Sequence, residues 1–533
     1  MILIVPAALL LLTAAVILII RILRPTFPAL WLIAVMGSVA AWLVVLVLRL
    51  RLPAAFTLIN WSAGNIVVGS PSLLLDYSSW SFTFALATIT LAVILISPGQ
   101  LKQRSEVVNI SGSLALGSLG ILATMSANPV MLLLGWSAID LIELWMMLRS
   151  DLTSTNHELA LQVFASRFIG MMVVLWSFLS LGGSTGADIS FTNLNPAGGL
   201  LLLLGIGLRI GVFPLHIPYS HDTILRRGQG TLLRVVPIAS SLVVLSRFHS
   251  DTIPSIAADW LSLFAFIALL ISSFRWALEK NDLSARPFWI IACSALVMLT
   301  VFNGNPFLSL SWGLTLIYLG AMVFLIEHTT RFIRIIQYIT ALTLIGIPFS
   351  MTSVGYQAVL RSANILWWLL ILISGFLLGV GYLIHTRSKP ELPAGQEQII
   401  YLTNPLSILL IFIAFIFTGL FGWQNSRVLG YWWIPIIFTI LAIVLFIWNR
   451  QTKKLLVIRD SIQHFSSTSA SPRLVGFLEN VINFRWIYNL LRSVFSFIGR
   501  LIQAITFLLE GNGGILWAFL VLAILLAITR TGS

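Results

Sequence analysis

An arginine in the middle of an apolar helix, followed by a helix-breaking proline, is the feature of this sequence with the clearest chemical meaning. The segment GIGLRIGVFPLHIPYSHD begins at residue 205 and places Arg209 five residues before Pro214, with His216 two residues further on. A lone cation at membrane depth costs at least about 2.5–3.5 kcal/mol, so it normally faces water or an acidic partner. A broken helix inside a membrane usually lines a cavity. The segment indicates an ion path, in which His216 either shuttles protons or caps the carbonyls that the break frees.

Composition defines the environment of this helix. Of the 533 residues, 58% are hydrophobic and only 9% are charged, against about 25% charged in a soluble domain. Apolar runs of about 20 residues, the length that crosses a bilayer, recur throughout the chain. We predict an all-α polytopic membrane protein with about 14–16 transmembrane helices. The first run, near 2–20, lacks a cationic start and a cleavage site, which favours a retained helix over a signal peptide.

The net charge of +13 does not indicate nucleic acid, because the lysines and arginines are dispersed over loops. The odd-numbered loops carry most of them, for example Arg226 and Arg227 after the seventh span and Lys453 and Lys454 after the fifteenth. By the positive-inside rule these loops face the cytoplasm and both termini lie outside. We expect an integral protein of a bacterial inner membrane, surrounded by lipid.

Catalytic and cofactor motifs of soluble enzymes do not occur in the sequence. The single cysteine, Cys293, excludes intrachain disulfides and cysteine-only metal clusters. There is no Walker loop and no GxGxxG opening a βαβ unit. We expect no catalytic residue, no metal and no cofactor on this chain, so that any oxidoreductase activity belongs to an assembly that contains it.

The spans suggest an organisation into six regions. Residues 1–106 hold N-terminal transmembrane helices and an external loop, in which 51–75 is typical of a short hairpin. Residues 107–250 and 251–390 form two five-helix units of an inverted repeat, with broken helices near Pro214 and Pro348. Further spans follow over 391–450, then a polar linker with an amphipathic lateral helix over 451–513 and a final transmembrane helix over 514–533. The lateral helix either closes on its own bundle or reaches a neighbouring subunit.

The order and spacing of five short segments are informative about the fold. The segments are LLLDYSSWSF (73–82), LLLGW after Asn128, SRFIG (166–170), GIGLRIGVFPLH (205–216) and GIP (346–348). In order and spacing they resemble the third, fifth, sixth, seventh and twelfth spans of the antiporter-like membrane subunits of complex I, the proton-pumping NADH:quinone oxidoreductase. The superfamily also includes Mrp-type cation–proton antiporters. The chain is identified as a divergent member.

The resemblance implies a line of buried ionisable groups that conducts protons, with a fifth-span glutamate facing a seventh-span lysine. This chain departs from that pattern, since Ser137 stands at the glutamate position and Arg209 at the lysine position. Arginine stays protonated in proteins and does not relay a proton as lysine does. All the lysines are predicted to lie in loops; they are Lys102, Lys280, Lys389, Lys453 and Lys454.

Charged residues nevertheless remain in the first half. Asp140 lies three residues after Ser137, on the same helix face, and Glu143 follows one turn later. We predict that these two carboxylates form a buried cluster with Arg167 and Arg209. The cluster is either part of a retained proton path or a fixed ion-pair lock between helices. Arg234, at the start of the eighth span, is expected to extend toward the interface.

The function that the resemblance implies is that of a membrane subunit of a complex I-like assembly, taking part in proton translocation coupled to electron transport. Its partners would be the other membrane subunits of that assembly. Two alternatives stay open: a non-conducting scaffold subunit that keeps the fold, and a subunit of an Mrp-type Na+/H+ antiporter or an ion-coupled inorganic-carbon uptake system.

Overall fold

The computed structural model describes residues 2–441 with internal gaps, and beyond them only Ser493, Ser496, Arg500 and Gln503. The gaps are 25–26, 28, 59–69, 98–103, 150–153, 180–190, 192–193, 219–226, 249–252, 280, 349, 362–363, 391–397, 423–432 and 439. The chain forms two compact units, Met1–Gln463 and His464–Ser533. The predicted lateral helix, apart from those four residues, and the predicted final span lie outside the described residues.

Helices dominate the described part of the chain. They are α1 (Val5–Leu23), α2 (Leu30–Leu48), α3 (Tyr77–Leu95), α4 (Arg104–Thr124), α5 (Pro129–Arg149), α6 (Ser154–Leu179), α7 (Pro196–Ile210), α8 (Arg227–Arg247), α9 (Ser255–Leu278), α10 (Asp282–Phe302), α11 (Leu310–Phe324), α12 (Arg331–Leu344), α13 (Met351–Leu360), α14 (Ile365–Arg387) and α15 (Gln398–Phe421). Within the described ranges, twelve helices are long and apolar enough to cross a bilayer. The predicted all-α polytopic membrane fold is confirmed.

The centre of the first unit consists of α3, α8, α10 and α11. In the membrane-spanning part of α3 all the residues are buried within the protein, and in that of α8 94% of the residues are buried. Helices α1, α2, α9 and α14 instead expose large apolar side chains, as helices that face lipid do. Because the central helices contact protein on every side, polar groups in them meet other protein groups instead of lipid.

A short hairpin joins α2 to α3, as the composition of 51–75 predicts. Strand β1 (Ala54–Thr57) pairs antiparallel with β2 (Ser72–Leu75), so that Ala54 lies opposite Leu75. Asp76 then caps α3 by accepting a hydrogen bond from the backbone N–H of Ser79 at 2.7 Å. The hairpin therefore fixes the start of the most buried helix.

The cap of α3 is tied to the end of α8 by an ion pair. Arg247 Nε donates to Asp76 Oδ2 at 2.9 Å, and its Nη1 donates to the carbonyl of Ser126 at 2.6 Å. Burial alone would favour the neutral acid, but the charge of Arg247 and the hydrogen bonds hold the pKa of Asp76 below its ordinary value. One arginine thus connects α8, the hairpin end of α3 and the turn after α4.

A helix ends close to each of the two predicted breaks, and a glycine with positive φ precedes the proline at both. Helix α7 ends at Ile210, where Gly211 takes φ +82° and donates to the carbonyl of Gly207. Helix α12 ends before Gly346, which takes φ +95°, and α13 starts beyond Pro348. The expectation that Pro214 itself ends the helix is wrong, because a left-handed glycine ends it earlier. The inverted repeat that these breaks suggested stays a prediction.

Candidate functional site

The site lies where α5, α6 and α7 meet, and two glycines set the approach of α6 and α7. A Cβ on Gly170 would lie 2.7 Å from the carbonyl oxygen of Gly205, and a Cβ on Gly205 would lie 2.7 Å from that of Gly170. Both distances are too short for any side chain, so only glycine permits this separation. The close contact brings Arg209 on α7 alongside Arg167 on α6.

Arg209 is paired with Asp140 through both terminal nitrogens. Nη1 donates to Asp140 Oδ2 at 2.7 Å and Nη2 donates to Oδ1 at 3.1 Å. Both residues are buried, Arg209 with 2% and Asp140 with 4% of its surface exposed. A parallel, two-bond pair of this kind is the strongest geometry available to arginine and carboxylate. The cation at the centre of α7 is therefore neutralised by α5.

A second pair lies beside the first. Arg167 Nη1 forms an ion pair with Glu143 and lies 3.7 Å from Asp140 Oδ1. The carbonyl of Arg167 accepts a hydrogen bond from Arg209 Nη1 at 3.2 Å, and Arg167 Nη2 donates to the carbonyl of Pro218 at 3.3 Å. The four residues named from the sequence are thus brought together in one network, which also reaches the segment after the α7 break.

An aromatic ring completes the surroundings of Arg209. Its guanidinium carbon lies 4.2 Å from the centroid of the Trp136 ring, a distance at which the ring face attracts a cation. Trp136 is held in turn, because its Nε1 donates to Ser240 Oγ on α8 at 3.0 Å. Ser137, at the position of the family's glutamate, donates to the carbonyl of Leu133 on its own helix at 2.8 Å.

Arg234 is the residue near the site that sequence reasoning misplaced. Instead of extending to the interface, it is 1% exposed and donates from Nη1 to the carbonyl of Gly230 at 2.7 Å. Its charge acts on Glu143. The expectation failed because α8 is surrounded by protein along its length, so that its first turns offer no route to the interface. The residues around Arg234 in the sequence do not indicate this burial.

The remaining predicted residues lie at the breaks. His216 is 1% exposed, and its Nδ1 lies 2.8 Å from the carbonyl oxygen of Pro214. This contact is the one expected of a residue that caps a carbonyl freed by the break. The ion pairs of the cluster are made by the other four residues. Pro348 lies at the second break, on a cavity between it and α15.

The chemical capacity of the cluster follows from its side chains. Two guanidinium groups stay charged at any physiological pH, so that only the carboxyl groups of Asp140 and Glu143 can bind a proton. Both carboxyls line a cavity of about 10 Å³ together with Arg167 and five apolar residues, which is the size of a single water site. Among the described residues, no group of three His, Cys, Asp or Glu is arranged to hold a metal ion.

Three solved structures contain chains whose fold is similar to that of this protein. A chain of the membrane-bound sulfane sulfur reductase, an archaeal respiratory membrane complex, matches with a TM-score of 0.66 at 13% identity, over 98% of this chain and 99% of that chain. A chain of respiratory complex I from Thermus thermophilus matches with a TM-score of 0.63 at 16% identity, over 82% and 98%. A chain of the Mrp complex from Dietzia sp. matches with a TM-score of 0.68 at 12% identity, over 100% and 63%.

No protein-family model matches the sequence, and no curated protein matches it. At 12–16% identity the structural matches define the fold alone. The chain has the fold of these chains of respiratory and Mrp complexes, and the resemblance drawn from its five motifs is confirmed at the level of fold. It is an integral membrane protein whose structural neighbours are chains of multi-subunit complexes.

Proposed function

We propose that this chain is a membrane subunit of a complex I-like respiratory assembly and takes part in proton translocation coupled to electron transport. Its fold is that of chains in ion-translocating and respiratory complexes. The observation that carries the proposal is a pair of buried carboxyl groups on α5, held by two arginines beside the break after α7. Ionisable residues within a membrane are rare and mark ion pathways and proton relays in many transport proteins.

Within this pair, Glu143 is the group that exchanges protons. Asp140 is fixed by two hydrogen bonds from Arg209, and protonation would remove the negative charge that strengthens both of them. Glu143 is paired through one of its oxygens with Arg167 and lines the cavity, so that it can gain or lose a proton with less rearrangement. Arg209 is committed to its two-bond pair with Asp140, and the guanidinium group of Arg167 lies against Glu143.

The test is the Glu143→Gln variant in the native assembly, followed in inverted membrane vesicles by quenching of a pH-sensitive dye. NADH is the first electron donor to try. The amide keeps the size of the side chain but exchanges no proton, so we expect coupled proton translocation to fall at least tenfold in the assembled complex. The matched control is Glu158→Gln, on the exposed surface of α6, which should leave translocation unchanged.

A non-conducting scaffold is the second candidate, favoured by the two-bond pair of Arg209 with Asp140. Arginine at this position gives up no proton, and the pair resembles a lock between α5 and α7. Under this alternative, Glu143→Gln assembles and translocates at the normal rate. That result would overturn the proposed role of Glu143 and leave docking of neighbouring subunits as the function of the chain.

A further inference from the structure

A second buried group of charges lies outside the site described above. It is found where α8 and α10 begin and where α11 and α14 end, at the side of the membrane that the positive-inside rule assigns to the cytoplasm. Its members are Arg227, Asp282, Arg286 and Lys389. Lys389 follows α14 in a loop, as predicted, yet only 6% of its surface is exposed. A lysine buried to this degree is unusual and calls for a reason.

Each proton of the Lys389 ammonium group has an acceptor. Nζ donates to the carbonyl oxygen of Val323, donates to that of Ile326 at 2.7 Å, and lies 3.2 Å from Asp282 Oδ2. The two carbonyls lie at the end of α11, where the unsatisfied carbonyls of a helix attract a cation. An ammonium group with three donors is therefore fully satisfied in this place.

The other charges around Lys389 are fixed. Arg227, at the start of α8, donates through both terminal nitrogens to Asp282, with Nη2 3.2 Å from Oδ1. Arg286 is 1% exposed and its guanidinium carbon lies 4.9 Å from the ring centroid of Phe324. His385, on the last turn of α14, has Nε2 2.9 Å from the carbonyl oxygen of Trp276. The cluster thus holds one carboxylate, which pairs with Arg227 and Lys389, and a second arginine, Arg286, whose charge acts on Lys389.

We propose that Lys389, paired with Asp282, is a proton-binding site of this subunit and exchanges a proton during ion translocation. The inference rests on the proposed function and gives it a second location. Lys389 is the one lysine among the described residues, and it differs from the arginines beside it because an amine in a protein can release its proton. The site joins α8 to the opposite half of the chain, represented by α10, α11 and α14.

The charges surrounding Lys389 support this role. Burial lowers the pKa of Lys389 to about 8, Asp282 opposes that shift, and Arg227 and Arg286 add to it. On release, one N–H bond of the ammonium group breaks and the proton passes to water, leaving a neutral amine. The amine keeps two hydrogens for the carbonyls of the α11 end. Asp282 stays charged and stays paired with Arg227.

The experiment compares Lys389→Arg with wild type in the assembled complex, measuring proton translocation in vesicles from pH 7 to pH 9. Arginine keeps the charge and the donors but holds its proton throughout this range. We expect at least a tenfold loss of translocation and loss of any change of rate centred near pH 8. The matched control is Arg387→Gln, an exposed cation two residues earlier, which should leave both rate and profile unchanged.

Three outcomes overturn the proposal. The first is a Lys389→Arg complex that translocates at the wild-type rate with the wild-type pH profile. The second is a wild-type rate that is flat from pH 7 to pH 9, a measurement that needs no variant to assemble. The third is a Lys389→Met complex that translocates normally, since methionine carries no proton at all.

The Glu143→Gln variant separates this inference from the proposed function. If Glu143→Gln loses translocation and Lys389→Arg keeps it, the second site is wrong and the proposed function stands. If Lys389→Arg loses translocation and Glu143→Gln keeps it, the chain conducts through the second site and the role given to Glu143 is wrong. If both variants translocate normally, the chain is a scaffold and both proposals fall.

Discussion

The Asp140 cluster (Asp140, Glu143, Arg167 and Arg209) and the Lys389 cluster (Arg227, Asp282, Arg286 and Lys389) use similar side chains but differ in which member can exchange a proton. In the first, two carboxylates face two arginines, so that the formal charges balance and the cations are permanent. In the second, one carboxylate is accompanied by two arginines and a lysine, so that positive charge is in excess and one of the cations, the lysine, can release a proton. The identity of the cation, more than its burial, therefore decides which member of each cluster can exchange a proton.

The two clusters also differ in what holds their cations. Arg209 is bound mainly by side chains, the Asp140 carboxylate and the Trp136 ring, with one backbone carbonyl, that of Arg167, at 3.2 Å. Lys389 is bound largely by carbonyl oxygens at the end of α11. Loss of the first carboxylate therefore leaves Arg209 with one backbone carbonyl and the ring, whereas loss of the second leaves the ammonium group with two backbone carbonyls.

The largest effect is expected from removing one partner of the first cluster. Arg209→Met leaves the Asp140 carboxylate buried without its partner, at a cost of about 3–5 kcal/mol. We expect the subunit to be lost from the assembled complex, measured by its recovery after purification and by the midpoint of thermal unfolding. The double variant Arg209→Met/Asp140→Leu should recover most of the assembly. Failure of the double variant to recover it would show that the pair is not the reason for the loss.

The substitution Arg209→Lys gives the Asp140 cluster the kind of cation that the Lys389 cluster contains. Arg209→Lys places an amine beside Asp140 and removes one of the two parallel hydrogen bonds, at a cost of about 1.5–3 kcal/mol. We expect the complex to assemble with a lower unfolding midpoint. If the cluster lies on a proton path, translocation in the assembled complex should at least equal that of wild type. A complete loss of translocation would show that a permanent charge is required at this position.

The position of the first cluster depends on the break after α7, which Gly211→Ala tests. Its φ of +82° is strained for alanine, and the new Cβ would lie 2.4 Å from the carbonyl oxygen of His216. We expect a loss of about 1–3 kcal/mol in the free energy of unfolding, measured by thermal unfolding of the complex. Gly379→Ala is the matched control, because nothing lies within 4 Å of its Cβ position in α14. The control should be neutral or slightly stabilising.

Much of this fold follows from the sequence. Apolar length predicts the spans, and the hairpin before α3 follows from the Gly/Ser/Pro-rich composition of 51–75. The approach of Asp140, Glu143, Arg167 and Arg209 follows from a simple rule: buried charges in a membrane need partners, and few are available.

The sequence does not show what depends on the surroundings of a helix. Arg234 and Lys389 stand where cations usually reach the interface, and both are buried because neighbouring helices cover those ends. The end of α7 was predicted from proline, the stronger local signal, while the left-handed glycine before it decided the outcome. Whether a helix end is buried depends on the helices packed around it. The residues near that end therefore do not predict it.

The smallest effect is expected from removing the ion pair of Arg247 with Asp76. This pair is partly exposed, so its contribution to stability is a reference for those of the two buried clusters. Asp76 has a side-chain exposure of 30%, so solvent screens the pair and Asp76→Asn should cost about 1 kcal/mol or less. Because Arg247 also donates to the carbonyl of Ser126, its charge stays solvated after the substitution. The measurement is the thermal unfolding midpoint of the assembled complex.

The pH dependence of this pair has a definite sign. The pKa of Asp76 is held below its ordinary value in the folded protein, so that the folded state binds fewer protons than the unfolded state. Its contribution is fully present above the ordinary aspartate pKa of about 3.9 and is lost as the pH falls through the lower folded value. Wild type and Asp76→Asn should therefore differ at pH 7 and converge in strong acid. A difference that grows as the pH falls would show that the carboxylate destabilises the fold, and the stabilising role given to its pair with Arg247 would be wrong.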